Sequence, residues 1–381
     1  MEATASQSAG QQSGAQQPAI KQQAKVRTFP CTSCGARLSF APGTKTLKCE
    51  YCGAANDIPK DDTEIEELDF EVYLQAIAGK QEQHDKVHVK CGNCGAEQDF
   101  PSNTFAGSCT FCATPIVAKG YANRLIKPKS LIPFRVAKTK AQEEFRKWIN
   151  GLWLAPSELK NYAKGDGGIK GMYLPYWTYD CNTYSDYTGE RGRDYTETRT
   201  GSDGKTYTET RTDWTRVSGS VENVFDDVLV SASPTMQKLQ TSFFGGDRFS
   251  AWNTKALVPY SEEFVSGFQA EAYQVGLSDG YRIAKGIIDE RIIVSIKQDI
   301  GGDRQQVHSV ETQYSDITFK HVLVPVWISA YRYRDKVYRF MVNGQNGEVQ
   351  GESPKSAWKI FFLVVAVLIA LFIVLMLAGK K

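Results

Sequence analysis

The longest apolar run of the chain lies near its C-terminal end. Residues Ile360 to Ala378 read IFFLVVAVLIALFIVLMLA, without one charged or polar side chain. At about 1.5 Å of rise per residue, a helix of this length spans roughly the 30 Å hydrocarbon core of a bilayer. The pattern predicts one transmembrane helix, with Trp358 and Lys359 at one interface and Lys380 and Lys381 at the other.

Two other stretches repeat apolar residues at helical spacing. Residues 139–150 place Phe145, Trp148 and Ile149 on one face, and Thr139 is the expected N-cap. A longer helix is predicted from Ser278 to about Ile300, with Gly301-Gly302 ending it. Its apolar positions recur at helical spacing: Ala284, Ile287, Ile288, Ile292 and Ile296.

The segment from Tyr121 to Pro354 reads mainly as aromatic-rich strands. Two stretches look like echoes of one another, Met172-Tyr-Leu-Pro-Tyr-Trp177 and Val322-Leu-Val-Pro-Val-Trp327. Each is predicted to enter a hairpin, with Pro175 and Pro325 at strand ends or edges because proline lacks the N–H that a ladder needs. A weak internal duplication is one interpretation of the echo.

A near-exact repeat lies between the echoes. Residues Tyr195-Thr-Glu-Thr-Arg-Thr200 and Thr206-Tyr-Thr-Glu-Thr-Arg-Thr212 flank residues 201–205 and predict an antiparallel hairpin. With a five-residue loop, the predicted cross-strand pairs are Tyr195 with Arg211, Thr196 with Thr210, Thr198 with Thr208, Arg199 with Tyr207 and Thr200 with Thr206. Neither face is apolar, so the hairpin 195–212 should extend into water or serve as a contact arm.

The N-terminal part contains two polar segments. Residues 1–26 are rich in Gln, Ser and Ala, without the basic and apolar regions of a signal peptide, and are predicted to be a disordered tail. Asp61 to Glu71 contains seven acidic residues and no basic one. Residues 61–85 are predicted to form an acidic helical linker, either a solvated face or a docking surface.

Eight of the nine cysteines form four Cys-x-x-Cys pairs, with fourteen residues between the pairs of each set. Such a spacing closes a tetrahedral four-thiolate site, so we predict two structural Zn²⁺ ions, with rubredoxin-like iron or a redox-active thiol pair as alternatives. The glycines after three of the pairs should adopt the left-handed conformation, whereas Ala113 replaces the fourth. The predicted ligands are Cys31, Cys34, Cys49, Cys52, Cys91, Cys94, Cys109 and Cys112.

Cysteine chemistry also indicates the compartment. Thiolates reserved for zinc survive best where thiols are kept reduced, so we expect the globular part to lie in the cytoplasm. The positive-inside rule gives no preference, because two lysines flank each side of the apolar run. With few residues after the run, the helix is predicted to insert as a tail anchor. A net charge of +2 provides no overall electrostatic attraction for a polyanion such as a nucleic acid, although the first cysteine segment, residues 27–60, is mildly basic.

No catalytic set is apparent in the sequence. Gly204-Lys205-Thr206 resembles the end of a phosphate-binding loop, but Arg199 occupies the position of its first glycine. Asp226 and Asp227 are adjacent strand residues and should point to opposite faces. The other candidates are interpreted as structural or solvated groups: Cys181, His84, His88, His308 and His321. We therefore predict that the protein is not an enzyme.

Together these patterns predict an α+β chain with two small four-cysteine zinc ribbons, a large, mainly antiparallel β domain with a few helices, and one transmembrane helix. The predicted segments are a tail (1–26), zinc ribbon 1 (27–60), the acidic helical linker (61–85), zinc ribbon 2 (86–120), the α+β domain (121–357) and the membrane anchor (358–381).

The order of these motifs resembles a bacterial family of zinc-ribbon membrane proteins. Besides the ribbons, the resemblance rests on Ile132-Pro-Phe-Arg-Val136, Gly171 to Trp177, Tyr187-Thr-Gly-Glu-Arg-Gly192, Phe225 to Val230, Thr318 to Trp327 and Val342 to Val349. It covers nearly all of Thr28 to Lys359. Members are often labelled primosomal protein N prime, replication factor Y or superfamily II helicase, yet the ATPase motifs of the genuine helicase are missing here.

The resemblance implies zinc ligands and a location in the bacterial inner (cytoplasmic) membrane, and it carries over no catalytic residues. It also suggests protein partners, since some relatives are linked to membrane-stress complexes with flotillin-like proteins. Two hypotheses follow. The first is a non-enzymatic membrane-tethered adaptor that recruits cytoplasmic partners. The alternative is a membrane-attached nucleic-acid-binding protein related to replication restart, for which charge gives no overall support.

Overall fold

The computed structural model describes residues 25–59, 61–77, 87–92, 95–100, 104–109, 114–119, 126–159, 168–200, 206–234, 236, 252–334 and 336–378. Its strands are β1 (Lys25–Arg27), β2 (Leu38–Phe40), β3 (Thr46–Cys49), β4 (Ala55–Asp57), β5 (Leu68–Asp69), β6 (Val87–Lys90), β7 (Glu97–Phe100), β8 (Thr104–Ser108), β9 (Pro115–Lys119), β10 (Ser130–Leu131), β11 (Lys170–Thr200), β12 (Thr206–Ser231), β13 (Val258–Pro259), β14 (Gln269–Glu271), β15 (Arg304–Tyr333), β16 (Lys336–Asn343) and β17 (Val349–Gly351). Its helices are α1 (Phe70–Ile77), α2 (Lys138–Gly151), α3 (Glu262–Val265), α4 (Leu277–Ile300) and α5 (Ala357–Ala378), with a 3₁₀ turn at Thr254–Ala256.

The two echo segments are neighbours at the centre of the main sheet. Strands β11 and β15 run antiparallel, so that Tyr173 lies opposite Pro325 and Tyr176 lies opposite Val322. Alternate residues enter hydrophobic clusters on opposite faces, which explains why both segments are apolar almost without interruption. The sheet is mainly antiparallel, with parallel pairs at β10–β15 and β11–β14. The α+β class is confirmed.

The prediction for the two prolines was wrong, because both lie inside long central strands. Each one sits where the neighbouring strand changes. One edge of β11 faces β15. On its other edge, β14 pairs with β11 as far as Tyr173 and β12 pairs with it from Tyr176 onward, so Pro175 lies in the gap between these two partner strands. On β15, Pro325 likewise lies between the residues paired with β10 and those paired with β16. A missing N–H costs no ladder bond at such a gap.

Beyond this core, three strands continue as an extension that we call the arm: residues 182–200 of β11, 206–224 of β12 and 304–316 of β15. The predicted register of the repeat is confirmed at every pair, including Tyr195 with Arg211 and Arg199 with Tyr207. Past Gly192, only β11 and β12 continue among the described residues, and this tip is polar and mostly exposed.

Helix α4 covers one face of the arm. It spans Leu277–Ile300, one residue longer than predicted, and the predicted core positions Ala284, Ile288, Ile292 and Ile296 are buried. Gly280 lets it approach the sheet closely, since a Cβ there would lie 2.5 Å from the Tyr179 hydroxyl. The helix ends at Gly301, whose φ of 64° is left-handed.

Two other helix predictions need correction. Helix α2 begins at Lys138, and the N-cap is Ala137 instead of Thr139, with no side-chain cap. The acidic residues 61–67 are not helical. Among the described residues 61–77 of the predicted linker, the helix is Phe70–Ile77, with the Asp69 carboxylate accepting from the Val72 amide at 2.8 Å; residues 78–85 lie outside the described part. The acids pair instead with distant lysines, as Glu66 does with Lys129 at 2.6 Å. Those contacts compete with local helix formation.

The first cysteine segment packs directly on the main domain. Leu38, Phe40 and Leu47 belong to the same hydrophobic cluster as Phe134 and Phe268. The Phe40 amide also donates to the Ser266 carbonyl at 3.0 Å. Strand β1 pairs with β9, so the predicted tail 1–26 is ordered from Lys25 onward; residues 1–24 lie outside the described part.

The C-terminal helix matches the predicted apolar run. Within α5, residues Ala357–Val374 have a mean hydropathy of 2.8, and none of this stretch is buried against the rest of the chain. By length and composition it is a helix that could cross a membrane. Lys380 and Lys381, the lysines predicted for the far interface, lie outside the described residues.

Candidate metal centre

Four predicted ligands meet in the first cysteine segment. The ligand atoms of Cys31, Cys34, Cys49 and Cys52 all lie within 4.8 Å of one another. The sulfurs of Cys31 and Cys52 are 3.7 Å apart, and those of Cys34 and Cys49 are 3.6 Å apart. Sulfurs about 2.3 Å from a tetrahedral zinc ion are about 3.8 Å from each other, so the cluster fits a metal ion without rearrangement.

The local backbone prepares these sulfurs for a cation. Gly35 and Gly53 follow the second cysteine of each pair, with φ of 71° and 74°, as predicted. The Ser33 amide donates to the Cys31 sulfur at 3.4 Å, and the Cys52 amide to the Cys49 sulfur at 3.5 Å. These amide bonds lower the pKa of Cys31 to about 6 and lower that of Cys49 as well. Both changes favour the thiolate, which is the form that binds metal. The Ala36 amide also lowers the pKa of Cys34, but hydrogen bonds with Cys52 and Cys49 and burial outweigh it and raise that pKa to about 12.

The second cysteine segment repeats the same backbone pattern. In each pair, the amide of the first cysteine donates to the carbonyl five residues on, with N···O distances of 2.6 to 2.9 Å: Cys31 to Ala36, Cys49 to Ala54, Cys91 to Ala96 and Cys109 to Thr114. Gly95 has a φ of 72°, matching its counterparts. Cys91 and Cys109 are buried in one small cluster with Phe100 and Ile116. Cys94, Cys112 and Ala113 lie outside the described residues.

The chain is similar to a curated protein over most of its length. It is 24% identical over 343 residues to a Bacillus subtilis (strain 168) protein described as uncharacterized protein YdjG. The alignment covers 88% of this chain and 92% of that protein. No family model matches the chain, and no solved structure does. The likeness therefore spans most of both chains and carries over no activity.

A second cluster of charged groups lies at the root of the arm. The Lys320 ammonium, whose side chain is 7% exposed, lies 2.7 Å from a Glu67 oxygen, 2.9 Å from one of Asp227 and 3.5 Å from one of Asp180. Burial alone would lower the pKa of Lys320, but the hydrogen bonds that its ammonium donates to Glu67 and Asp227 outweigh this effect and raise that pKa. The ion cluster joins β11, β12 and β15 to Glu67, the residue before β5.

The same cluster corrects the prediction for Asp226 and Asp227. Their carboxylates do not point to opposite faces: both lie within 4.8 Å of an Asp180 oxygen. The pairing skips from Tyr179–Val228 to Cys181–Phe225, so two residues of β12 lie opposite Asp180 in a β-bulge. Asp227 has a φ of 52°, which breaks the alternation that the prediction assumed. The Lys320 ammonium contacts two of these three carboxylates, those of Asp180 and Asp227.

The remaining candidates have structural surroundings. Cys181 is buried beneath α4, and burial raises its pKa to about 11, as expected for a packed thiol. His308 is half exposed and lies 3.7 Å from Glu190. Residues 201–205 and His84 lie outside the described part of the chain, as does the side chain of His88.

His321 is a fully buried neutral base. Its Nδ1 bonds the Ile126 carbonyl at 2.7 Å, and its ring packs against Trp177 and Tyr273. Burial lowers its pKa to about 4. In the unfolded chain the pKa returns to about 6.5, so the unfolded state binds more protons between those values. Stability is therefore complete above about pH 6.5 and is lost as the pH falls toward 4.

We expect wild-type protein to lose up to about 3 kcal/mol more than His321→Gln between pH 6.5 and 4, because glutamine does not titrate. Urea unfolding of both full-length proteins in detergent, at several pH values, measures this difference. Metal release at low pH affects both proteins and cancels. Parallel curves for the two proteins would show that His321 does not titrate in this window.

A groove that the sequence did not reveal runs along the arm. It encloses about 520 Å³ between Ile293 and Lys297 of α4 and residues 305–310 of β15. Within the described chain, no strand pairs with the outer edge of β15 between Arg304 and Asp316. Val310 is 36% exposed at this edge. An open strand edge leaves no local pattern in the sequence, because it depends on which elements fold beside the strand.

Proposed function

We propose that this protein is a non-enzymatic adaptor of the bacterial inner membrane, held there by α5, whose arm recruits cytoplasmic proteins. The observation that supports it best is the open edge of β15 beside the groove under α4. An exposed strand edge offers unpaired N–H and C=O groups to an extended peptide, and a neighbouring groove accepts the side chains of that peptide. Ile293 and Val310 provide apolar contacts there, and Lys297 provides a charged one.

The metal sites fit this role as structural supports. We propose that the first cluster holds a structural Zn²⁺, because four thiolates complete a tetrahedron and leave no position for a substrate. We propose a second structural Zn²⁺ between Cys91, Cys94, Cys109 and Cys112, supported by the repeated backbone pattern. Both cysteine segments join the main sheet or its core, through β1, β8 and β9. Bound zinc would therefore stiffen the body that carries the arm.

The anchoring part of the proposal rests on α5 and on thiol chemistry. A helix with this hydropathy is stable in a bilayer and unfavourable in water. Four clustered thiolates are best preserved in a reducing compartment, which supports a cytoplasmic location for the globular part. Membrane-stress or flotillin-like complexes are the partners that the family resemblance suggests.

The nucleic-acid hypothesis receives less support. A binding arm for DNA would present unpaired arginines. At the arm tip, however, Arg211 lies 3.1 Å from Glu197 and 3.3 Å from Glu209, and Arg199 lies 3.2 Å from Glu197. Pairing cancels most of the positive charge that phosphates would need.

Two valine substitutions test the adaptor proposal. Val310→Lys places a charge at the open edge of β15, and Val294→Lys places the same charge on α4 at a residue that is 55% exposed and does not line the groove. We expect Val310→Lys to lower the recovery of co-purifying proteins about tenfold or more, which corresponds to about 1.4 kcal/mol, with Val294→Lys near wild type.

The measurement is affinity purification from detergent-solubilised membranes without chelators, followed by quantitative mass spectrometry. Equal recovery with both variants would exclude the β15 edge as the docking site. Recovery of no protein partner by the wild type would count against the adaptor function itself.

A further inference from the structure

The turn that follows α2 is fixed to the first turn of the C-terminal helix. The Ser356 amide donates to the Leu154 carbonyl at 2.8 Å. The Lys359 ammonium donates to the Trp153 carbonyl at 3.2 Å and to the Ala155 carbonyl at 2.8 Å. The lysine predicted to face the headgroups thus holds backbone oxygens of the globular domain. The depth of α5 in a bilayer therefore sets the depth of this turn.

Trp153 projects from the same turn. Its side chain is 63% exposed, which leaves one of the largest aromatic surfaces of the globular domain uncovered. Trp358, in the first turn of α5, is 72% exposed and stacks on Phe362 with 6.2 Å between ring centroids. Tryptophan prefers the interface between headgroups and acyl chains, where its apolar ring and its N–H are both satisfied.

We propose that Trp153 is a second membrane contact, inserted into the bilayer interface beside Trp358. The occupant of this exposed surface is lipid, because Trp153 is continuous with the helix that we propose as the anchor and hydrogen-bonded to its first turn. Two contacts fix the orientation of the globular domain on the bilayer, whereas α5 alone would allow the domain to tilt relative to the membrane surface. The inference rests on the proposed membrane anchoring.

Differences in tryptophan fluorescence test this contact in the full-length protein. Wild type, Trp153→Phe, Trp358→Phe and Trp214→Phe are reconstituted into phosphatidylcholine–phosphatidylglycerol vesicles, with and without bromine atoms on the acyl chains. Subtracting each variant from wild type isolates one indole. Trp214, on β12 in the arm tip, is the control. Circular dichroism confirms that the conservative variants keep the fold.

We expect brominated lipid to quench Trp153 about as strongly as Trp358 and about threefold more than Trp214, because only the first two reach the interface. Aqueous acrylamide should give the reverse order. Quenching of Trp358 without Trp153 would overturn the second contact and leave the anchor intact. Shielding of Trp153 from both quenchers would show that protein, such as a second copy, covers it. If neither Trp358 nor Trp153 is quenched, the anchor itself fails.

Discussion

Replacing Cys49 with serine is expected to destabilise the whole globular domain and not only the first cysteine segment. The Cys49 side chain is buried, and the segment that it belongs to supplies Leu38, Phe40 and Leu47 to the main core. Loss of the proposed zinc would release these side chains, because a four-thiolate segment of this size has little core of its own. We expect a loss of several kcal/mol, at about 2 °C of melting temperature per kcal/mol.

Metal analysis and thermal unfolding of the full-length protein measure both consequences. Cys49→Ser should contain about one zinc ion per chain less than wild type, since a three-thiolate site binds zinc more weakly. Cys181→Ser is the matched control: this cysteine is also buried but lies under α4, far in sequence from the cluster. It should keep its metal. An unchanged melting temperature for Cys49→Ser would show that the metal does not support the main core.

Local patterns in the sequence predicted those elements whose structure depends mainly on residues close to them in the chain. The hairpin register around Tyr195 and Arg211 follows from the repeat itself, since a one-residue slip would break every threonine pair and exchange the two faces of the strand. The core face of α4 follows from its apolar spacing. The positive φ of Gly35 and Gly53 follows from the geometry of a turn that brings two sulfurs to one metal.

Features that depend on distant partners could not be predicted. Pro175 and Pro325 are tolerated centrally only because neighbouring strands change beside them, which is a property of the whole sheet. The acidic segment loses its helix to lysines more than sixty residues away. The groove and the open edge of β15 likewise arise from elements that the chain brings together only on folding.

The Lys320 cluster illustrates the same limit. Asp227 was noticed in the sequence as half of an acidic pair, whereas Lys320 and Glu67 carried no signal of their own. A bulge and a strand pair bring Glu67, Asp180 and Asp227 around one ammonium. Asp180 is partly buried, and burial raises its pKa despite the nearby Lys320 and the Asp227 amide. Asp180 therefore depends on the nearby lysine to keep the free-energy cost of its charge low.

Lys320→Met is expected to lower the free energy of unfolding by about 3 kcal/mol at pH 7.5, because it leaves the partly buried carboxylates of Asp180 and Asp227 without their cation. Methionine fills a similar volume, so lost charge and not a cavity is what changes. Lys140→Met is the matched control: Lys140 is 52% exposed and pairs with Glu144 at 3.0 Å on the surface of α2. Its removal should cost less than about 1 kcal/mol.

The pH dependence separates this electrostatic cause from a packing defect. The folded pKa of wild-type Lys320 is raised, so its stabilisation is fully present below its unfolded pKa of about 10.4 and is constant between pH 5 and 8. Without it, the folded pKa of Asp180, already raised by burial, should rise further above its unfolded value. The folded variant then binds more protons, and its stability falls as the pH rises. The difference between wild type and Lys320→Met should therefore grow from pH 5 to pH 7.5.

Urea unfolding in detergent, with tryptophan fluorescence as the readout, measures this difference. Urea is uncharged, so it does not change the ionic strength that screens the ion cluster. Adding Asp180→Asn to Lys320→Met should recover part of the loss, because asparagine removes one charge and keeps an oxygen for the Asp227 amide that now donates to Asp180. A difference that stays constant with pH and is not reduced by Asp180→Asn would assign the effect of Lys320 to packing. The predicted slope instead requires that the ammonium neutralises partly buried carboxylates where the arm meets the core.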